Sequence, residues 1–336
     1  YTVPAAGERG SETWVADTWK IGGGAVWHTG TYDPGTNLLY FGTGNPAPWI
    51  ADMRRGDNLY TMSAVALDPD TGTLKWHHQY LANEAWDFDT TAEHHIIDVV
   101  RNGQTHHAVV QANKLGYVYT LDRITGKFLS AVPFVKSLTW GGPDPVTGKG
   151  VENTGLRPQM GGPLVEVCPS VLGATGWQPK VYNPKTGYLY IPSSEFCMRY
   201  GYVADLTYRR GQLFTGVRYE IFSKEEQAGV LRAFDVNQNK VVWEWSNRTP
   251  LISHTLSTGG DLVFQGTAEG KVVAINAKNG QELWSFNLGT PQSGGIMSYA
   301  VDGKQYIAVA AGGTLRSQIW FGKEPKWAKA TKMNWS

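Results

Sequence analysis

The sequence predicts an all-β fold assembled from stacked four-stranded units. Three observations point there: one turn pattern recurs along the chain, glycine and aromatic residues are abundant, and no long amphipathic helix can be traced. The pattern reads Asp/Asn-x-x-Thr/Asn-Gly/Asn-x-x-x-aromatic and usually follows an apolar, strand-like run. Its best copies are LDPDTGTLKW (67–76), FDVNQNKVVW (234–243) and INAKNGQELW (275–284). Weaker copies are YDPGTNLLYF (32–41), LDRITGKFLS (121–130) and YNPKTGYLYI (182–191). The 336 residues include 40 Gly and 14 Trp, both high for a globular chain. Pro or Gly interrupts nearly every fifteen-residue window, which favours short strands over helices.

Each copy has the same physical logic. The leading residue falls at Asp33, Asp68, Asp122, Asn183, Asp235 and Asn276, at intervals of 35 to 61 residues. An Asx side chain and a glycine make a tight turn between two strands. The chain then re-enters a strand whose aromatic residue can pack on a neighbouring unit. One hairpin cannot bury its own face, so the copies must stack. Repeats of this length with several short strands each are the signature of β-propeller blades. Turns of this type occur in any all-β protein; six copies in register with strand-like flanks set this chain apart. Insertions are expected between 133 and 170, where GGPDPVTGKG is rich in glycine and proline, and between 193 and 230. No linker splits the chain, so residues 1–336 read as a single domain.

Charge excludes some partners. Thirty basic residues against 29 acidic ones give a net charge of +1, which makes no electrostatic case for nucleic acid or an anionic membrane. No run of eighteen apolar residues exists, so no transmembrane helix is expected. The chain starts at Tyr1 with neither an initiator Met nor a signal peptide, as a mature form or a fragment would. Cys168 and Cys197 are either two separate buried thiols or one disulfide; they lack the close spacing of a zinc site.

Three stretches stand out for chemistry. In AWDFD (85–89), an extended chain would send Asp87 and Asp89 to one face, and Trp86 and Phe88 to the other. Two carboxylates on one face can share a cation; without one they repel and one keeps its proton. They can equally cap turns or pair with Arg or Lys. In FGTGNPAPW (41–49), Asn45 sits in a rigid Gly/Pro frame, either as a hard-cation ligand through its amide oxygen or as a turn residue. In IGGGAVWHTG (21–30), glycines permit close backbone approach and Trp27 is a flat stacking floor or plain packing. The pairs His77-His78, His94-His95 and His106-His107 point to opposite strand faces, so surface or interstrand polar contacts are expected of them rather than metal binding.

Taken in order, GGGAVW, YDPGTNLLYFGTGNPAPW, DNLYTMSAVALDPDTGTLKW and NEAWDFD resemble the quinoprotein alcohol dehydrogenases, which use pyrroloquinoline quinone (PQQ) and include methanol dehydrogenase. The resemblance continues through CPSVLGATGWQPKVYNPKTGYLYIP, GVLRAFDVNQNKVVWEW and LVFQGTAEGKVVAINAKNGQELW. It implies an eight-bladed propeller of four-stranded sheets, of which this chain holds the later five to six blades. It also implies that Trp27 stacks under the quinone, Asn45 ligates the metal and Asp87 is both ligand and catalytic base. Lys114 falls where the family bonds the quinone oxygens, and Cys168 and Cys197 match a structural disulfide. Asp89 stands where calcium-dependent members have a small neutral residue and lanthanide-dependent members have Asp. A trivalent ion of calcium-like radius gains more from one further negative oxygen, so a lanthanide(III) ion is expected, with Ca²⁺ as the alternative.

The implied function is PQQ-dependent oxidation of a primary alcohol to an aldehyde in the periplasm, with soluble cytochrome c as acceptor. The resemblance is compatible with a homodimer. The alternatives are a PQQ-dependent sugar or polyol dehydrogenase and a non-catalytic envelope propeller used as a scaffold. The chain departs from the family pattern in several places. The Glu metal ligand and the pair of adjacent cysteines of the family's first blades are absent; Ala25 replaces a polar residue, and Leu251 and Ile252 stand where a Trp is common. The basic tail GKEPKWAKATKMNWS matches no closing strand of the family.

Overall fold

The computed structural model describes residues 2–212 and 214–312, so the basic tail lies outside the described residues. Among these residues all regular structure is strand, apart from four short 3₁₀ turns. The chain divides into two compact units, one of Tyr1–Trp177 with Phe196–Phe222, the other of Gln178–Glu195 with the chain from Ser223 on.

The first unit contains two four-stranded antiparallel sheets with strands in chain order. One is formed by β1 (Thr31–Asp33), β2 (Leu38–Gly42), β3 (Ser63–Leu67) and β4 (Leu74–Gln79). The other is formed by β5 (His95–Arg101), β6 (Gln104–Ala112), β7 (Tyr117–Asp122) and β8 (Phe128–Pro133). A hairpin of β9 (Gly141–Pro143) and β10 (Gly150–Glu152) follows. A three-stranded sheet pairs β11 (Val165–Val167) with β14 (Cys197–Tyr202), and β14 with β15 (Val217–Phe222). A disulfide joins Cys168 to Cys197.

The second unit holds two more four-stranded sheets. β12 (Val181–Asn183) and β13 (Tyr188–Ser194) pair onward with β16 (Gly229–Asp235) and β17 (Lys240–Asn247). β18 (Thr255–Ser257), β19 (Leu262–Gly266), β20 (Lys271–Asn276) and β21 (Glu282–Asn287) form the next. A hairpin of β22 (Ile296–Val301) and β23 (Lys304–Val309) completes it among the described residues. In every four-stranded sheet a bulge interrupts the third-to-fourth strand pairing, just before the leading Asx of the turn.

All six expected turns form. At Asp122, for example, Oδ1 accepts from the backbone N–H groups of Ile124 and Thr125, and Gly126 N–H donates to the Asp122 carbonyl at 2.9 Å. The residue four positions after each leading Asx is left-handed: Asn37, Gly72, Gly126, Gly187, Asn239 and Gly280. Only Gly, Asn or Asp adopts that conformation routinely, which is why the pattern carries Gly or Asn there. A seventh copy was missed. Asp144 caps Val146 and Thr147, and Gly148 has φ +72, so the 133–170 insertion contains the same turn, between β9 and β10.

Three of these glycines, Gly126, Gly148 and Gly280, seat aromatic rings. A Cβ on Gly126 would lie 2.5 Å from the Trp76 ring, and one on Gly280 would lie 2.7 Å from the Trp243 ring. The Trp76 indole N–H donates to the Arg123 carbonyl at 3.2 Å, and the Tyr40 hydroxyl donates to the same oxygen at 2.9 Å. In the second unit, Trp243 and Tyr190 donate to the Ala277 carbonyl at 3.0 and 2.9 Å. Phe128 rests on Gly148 in the same manner. Trp284, the third of these tryptophans, is half exposed on β21.

The packing follows from the pattern. The third strands β3, β7, β16 and β20 are buried on both faces along most of their length. The core of the first unit is rich in large rings, including Trp86, Phe88, Trp140, Tyr80 and Tyr119. The second unit has its own core around Tyr190, Leu231, Trp243 and Ile275.

Two stability measurements check this description in the intact protein. Gly126→Val is expected to destabilise by about 2–4 kcal/mol in chemical denaturation, through the positive φ and the clash with the Trp76 ring; an unchanged midpoint would mean the ring does not depend on that gap. Replacing Cys168 and Cys197 together by Ser is expected to cost about 3–4 kcal/mol from loop closure across a separation of 29 residues; a loss under about 1 kcal/mol would refute the cross-link's role.

Candidate active site

The candidate site lies within the first unit, where three loops meet. The glycine run comes alongside the Asn45 loop: Gly24 N–H donates to the Asn45 carbonyl at 2.9 Å, and Gly44 N–H donates to the Ala25 carbonyl at 3.0 Å. Gly23, at φ +89, lets the backbones approach so closely that a Cβ there would sit 2.7 Å from the Ala47 nitrogen. The third loop carries the two aspartates. Asn45 N–H donates to Asp89 Oδ1 at 3.1 Å, and a Cβ on Gly44 would be 2.9 Å from the same oxygen.

Lys114 is the cation opposite the two carboxylates. Its Nζ donates to Asp89 Oδ2 at 2.7 Å, to the Asp87 carbonyl at 2.7 Å and to Asp87 Oδ2 at 3.3 Å. Those three bonds use all its protons. The side chains of Lys114, Asp87 and Asp89 are 11, 7 and 11% exposed, so the cluster is nearly dry. The stem of Lys114 is packed by Gly173, where any Cβ would overlap it, and Ala174 N–H donates to the Lys114 carbonyl at 3.0 Å. The 168–174 loop that carries Gly173 begins at the disulfide.

One expectation is corrected. Residues 86–89 do not run extended: Asp87 is left-handed at φ +67 and no strand forms there. The two carboxylates converge because the chain turns at Asp87, not through strand alternation. Trp86 and Phe88 are both fully buried and stacked, with ring centroids 5.8 Å apart. Alternation is unnecessary in a loop whose aromatic residues find a core on either side.

Burial dominates the electrostatics. It pushes Asp87 well above the ordinary carboxylate range; Lys114 pulls against it, and Asp89 and Glu84 push the same way as burial. Burial draws the Lys114 ammonium down, but Asp87 and Asp89 together outweigh it, and its net direction is up. The two directions agree physically. The acids favour the charged ammonium, while burial works against ionisation of Asp87.

The structure thus brings Asn45, Asp87, Asp89 and Lys114 together. Trp27 stands outside their hydrogen bonds, two residues past Ala25; it is 47% exposed and its ring meets His28 edge-on at 4.7 Å. Among the described residues no group of three or more His, Cys, Asp and Glu side chains is arranged to hold a metal. The histidine pairs differ from the surface expectation in two cases. His78 and His94 are buried, and burial draws them down to about 4 and about 3. His107 makes the expected interstrand contact, to Asp98 at 2.8 Å. Sequence reasoning missed Glu84, Arg54 and Gly173. Only the glycine offered a signal, as a residue in a Gly-rich stretch without a turn motif.

Comparison with known proteins finds clear relatives of this chain. Residues 2–136 match the family model for the β-propeller domain of glucose, ethanol and alcohol dehydrogenases that use PQQ. Residues 227–318 match a second PQQ-type model described as outer membrane protein assembly factor BamB. The chain is 41% identical to quinoprotein alcohol dehydrogenase PedH of Pseudomonas putida, over 96% of this chain and 54% of that protein. It is 34% identical to a lanthanide-dependent methanol dehydrogenase of Methylorubrum extorquens, over 92% of this chain and 53% of that protein. Its backbone superposes on a europium-containing methanol dehydrogenase with a TM-score of 0.86 at 33% identity, covering 92% of this chain and 54% of that one. The chain therefore spans about half the length of the relatives it matches. With its repeated four-stranded sheets and these likenesses, the chain is a β-propeller of the PQQ type whose homologues are quinoprotein alcohol dehydrogenases.

Proposed function

We propose that this chain forms the base-bearing part of an enzyme that oxidises a primary alcohol to an aldehyde. The observation that carries the reading is the nearly dry pair of Asp87 and Asp89 around one ammonium, with the Asn45 backbone N–H on Asp89. A scaffold gains little from such a buried ion cluster, since desolvating its charges is costly even when they are paired.

The donor set fits a hard cation. Two carboxylates and one amide carbonyl are all oxygen ligands of the kind a hard cation takes. Asn45, Asp87 and Asp89 are the ligands proposed from this chain, with Trp27, half open to solvent, as the floor for the quinone. PQQ bound there would supply a hydride acceptor for the substrate carbinol, and the ion held by Asn45, Asp87 and Asp89 would supply Lewis-acid polarisation. Asp89 favours a lanthanide(III) ion over Ca²⁺, because each negative oxygen is worth more to the higher charge.

The residues of the chain then divide the work. Asp87 takes the hydroxyl proton at a carboxylate oxygen. A cation beside it offsets the burial that pushes its carboxyl up. Lys114 holds its ammonium between the two carboxylates and supplies fixed positive charge where negative charge develops. The buried rings of Trp86 and Phe88 exclude water behind the acid pair. Electron transfer to a soluble cytochrome c and a periplasmic location rest on the family resemblance, and the disulfide fits an oxidising compartment.

The full-length protein is expected to purify with a quinone absorption band and to contain a lanthanide by elemental analysis; a colourless, PQQ-free protein with an intact fold would sink the enzyme reading. Asp87→Ala is expected to lower kcat by at least about a thousandfold, in line with loss of a general base, and turnover near wild type would move the base elsewhere. Asp89→Ala is expected to abolish lanthanide-supported turnover while leaving the quinone bound; unchanged lanthanide activity would remove the metal assignment.

A further inference from the structure

The loop that carries Asp87 is fastened by Glu84. This side chain is 1% exposed, and its Oε1 accepts from the backbone N–H of Trp86 at 2.5 Å and from that of Phe88 at 3.0 Å. Those amides lie immediately before and after Asp87, so one oxygen holds both neighbours of the acid and fixes it at φ +67. An Asp tolerates this left-handed conformation but does not prefer it. Without the two bonds the residue would relax to an ordinary region and swing its carboxylate away from Lys114.

A second anchor fixes the clamp. Arg54 is fully buried, and its guanidinium donates to the Glu84 carbonyl. It also donates to the Pro48 carbonyl at 2.6 Å and to Asn58 Oδ1 at 3.0 Å. Arg54 thereby ties the 84–88 loop to the loop that bears Asn45. Burial pushes the Glu84 carboxyl up, and its Oε2 is buried without a hydrogen-bond partner. A residue needed only for packing would be apolar at this position, because a buried carboxyl with one idle oxygen is a net cost unless the other oxygen is required.

We infer that Glu84 is a positioning residue for the proton acceptor: it sets the direction of the Asp87 carboxylate without touching the substrate. The inference rests on the reading of Asp87 as that acceptor, and it assigns Glu84 to kcat rather than to alcohol binding.

The test uses the full-length holoenzyme loaded with PQQ and metal. Glu84→Ala is expected to lower kcat at least a hundredfold, with KM for the alcohol within threefold of wild type and the quinone band retained. Glu84→Gln keeps an acceptor oxygen at the same reach and is expected to recover to within tenfold of wild type. Glu84→Asp is one methylene too short to serve both amides and is expected to remain with the alanine variant. The inference is overturned if Glu84→Ala keeps kcat within threefold, if KM rises while kcat holds, if the quinone band is lost along with kcat, or if Gln is no better than Ala. Should the alanine variant fail to fold, equal rates for Glu84→Gln and Glu84→Asp overturn it as well. Asp87→Ala separates the two ideas. Retained turnover there defeats the proton-acceptor reading, whereas loss there with none in Glu84→Ala defeats the clamp alone.

Discussion

An aromatic ring laid on a glycine, with its polar edge donating to a backbone carbonyl, is the contact on which the sheets of each unit depend. Trp76 over Gly126 and Trp243 over Gly280 make it independently in the two units, each with a tyrosine hydroxyl on the same carbonyl. Burying a large ring stabilises by roughly 2–3 kcal/mol, and the indole N–H adds direction. The ring needs a missing Cβ beneath it, the turn needs a left-handed residue, and glycine supplies both. A turn that looks like local punctuation is therefore also a docking surface.

The site uses the same device for another purpose. Gly23, Gly44 and Gly173 bring backbones or a lysine stem closer than any side chain would permit. Their effect is to gather Asn45, the Asp87/Asp89 loop and Lys114 from three separate segments, with the two acids and the ammonium nearly dry. Water would screen each of these charges separately. In its absence they fix one another, and the balance of charge becomes a property of the cluster. The disulfide secures the end of the loop that packs Lys114, so a bond remote in sequence bears on the position of the ammonium.

Much of the fold was legible because its signals are local. An Asx cap, a left-handed fourth residue and an aromatic four further on lie within ten residues, and six of the seven turns were found that way. The seventh, at Asp144, was hidden because its strands β9 and β10 are only three residues long and read as a loop. Residues 86–89 were expected to be extended because alternation of polar and aromatic residues is a strand signal. That signal failed because two buried rings on both sides of a loop produce the same spacing.

The sequence by itself determined the repeat, the turn chemistry, the two candidate acids and the family they resemble, since each is written in residues close together along the chain. The tertiary structure decided what lies opposite those acids and what holds them. Lys114 meets Asp87 across 27 positions, and Glu84 acts through main-chain amides that leave no mark in residue type. Contacts between distant segments, and contacts to the backbone, depend on where the chain travels, and only the folded molecule fixes that path.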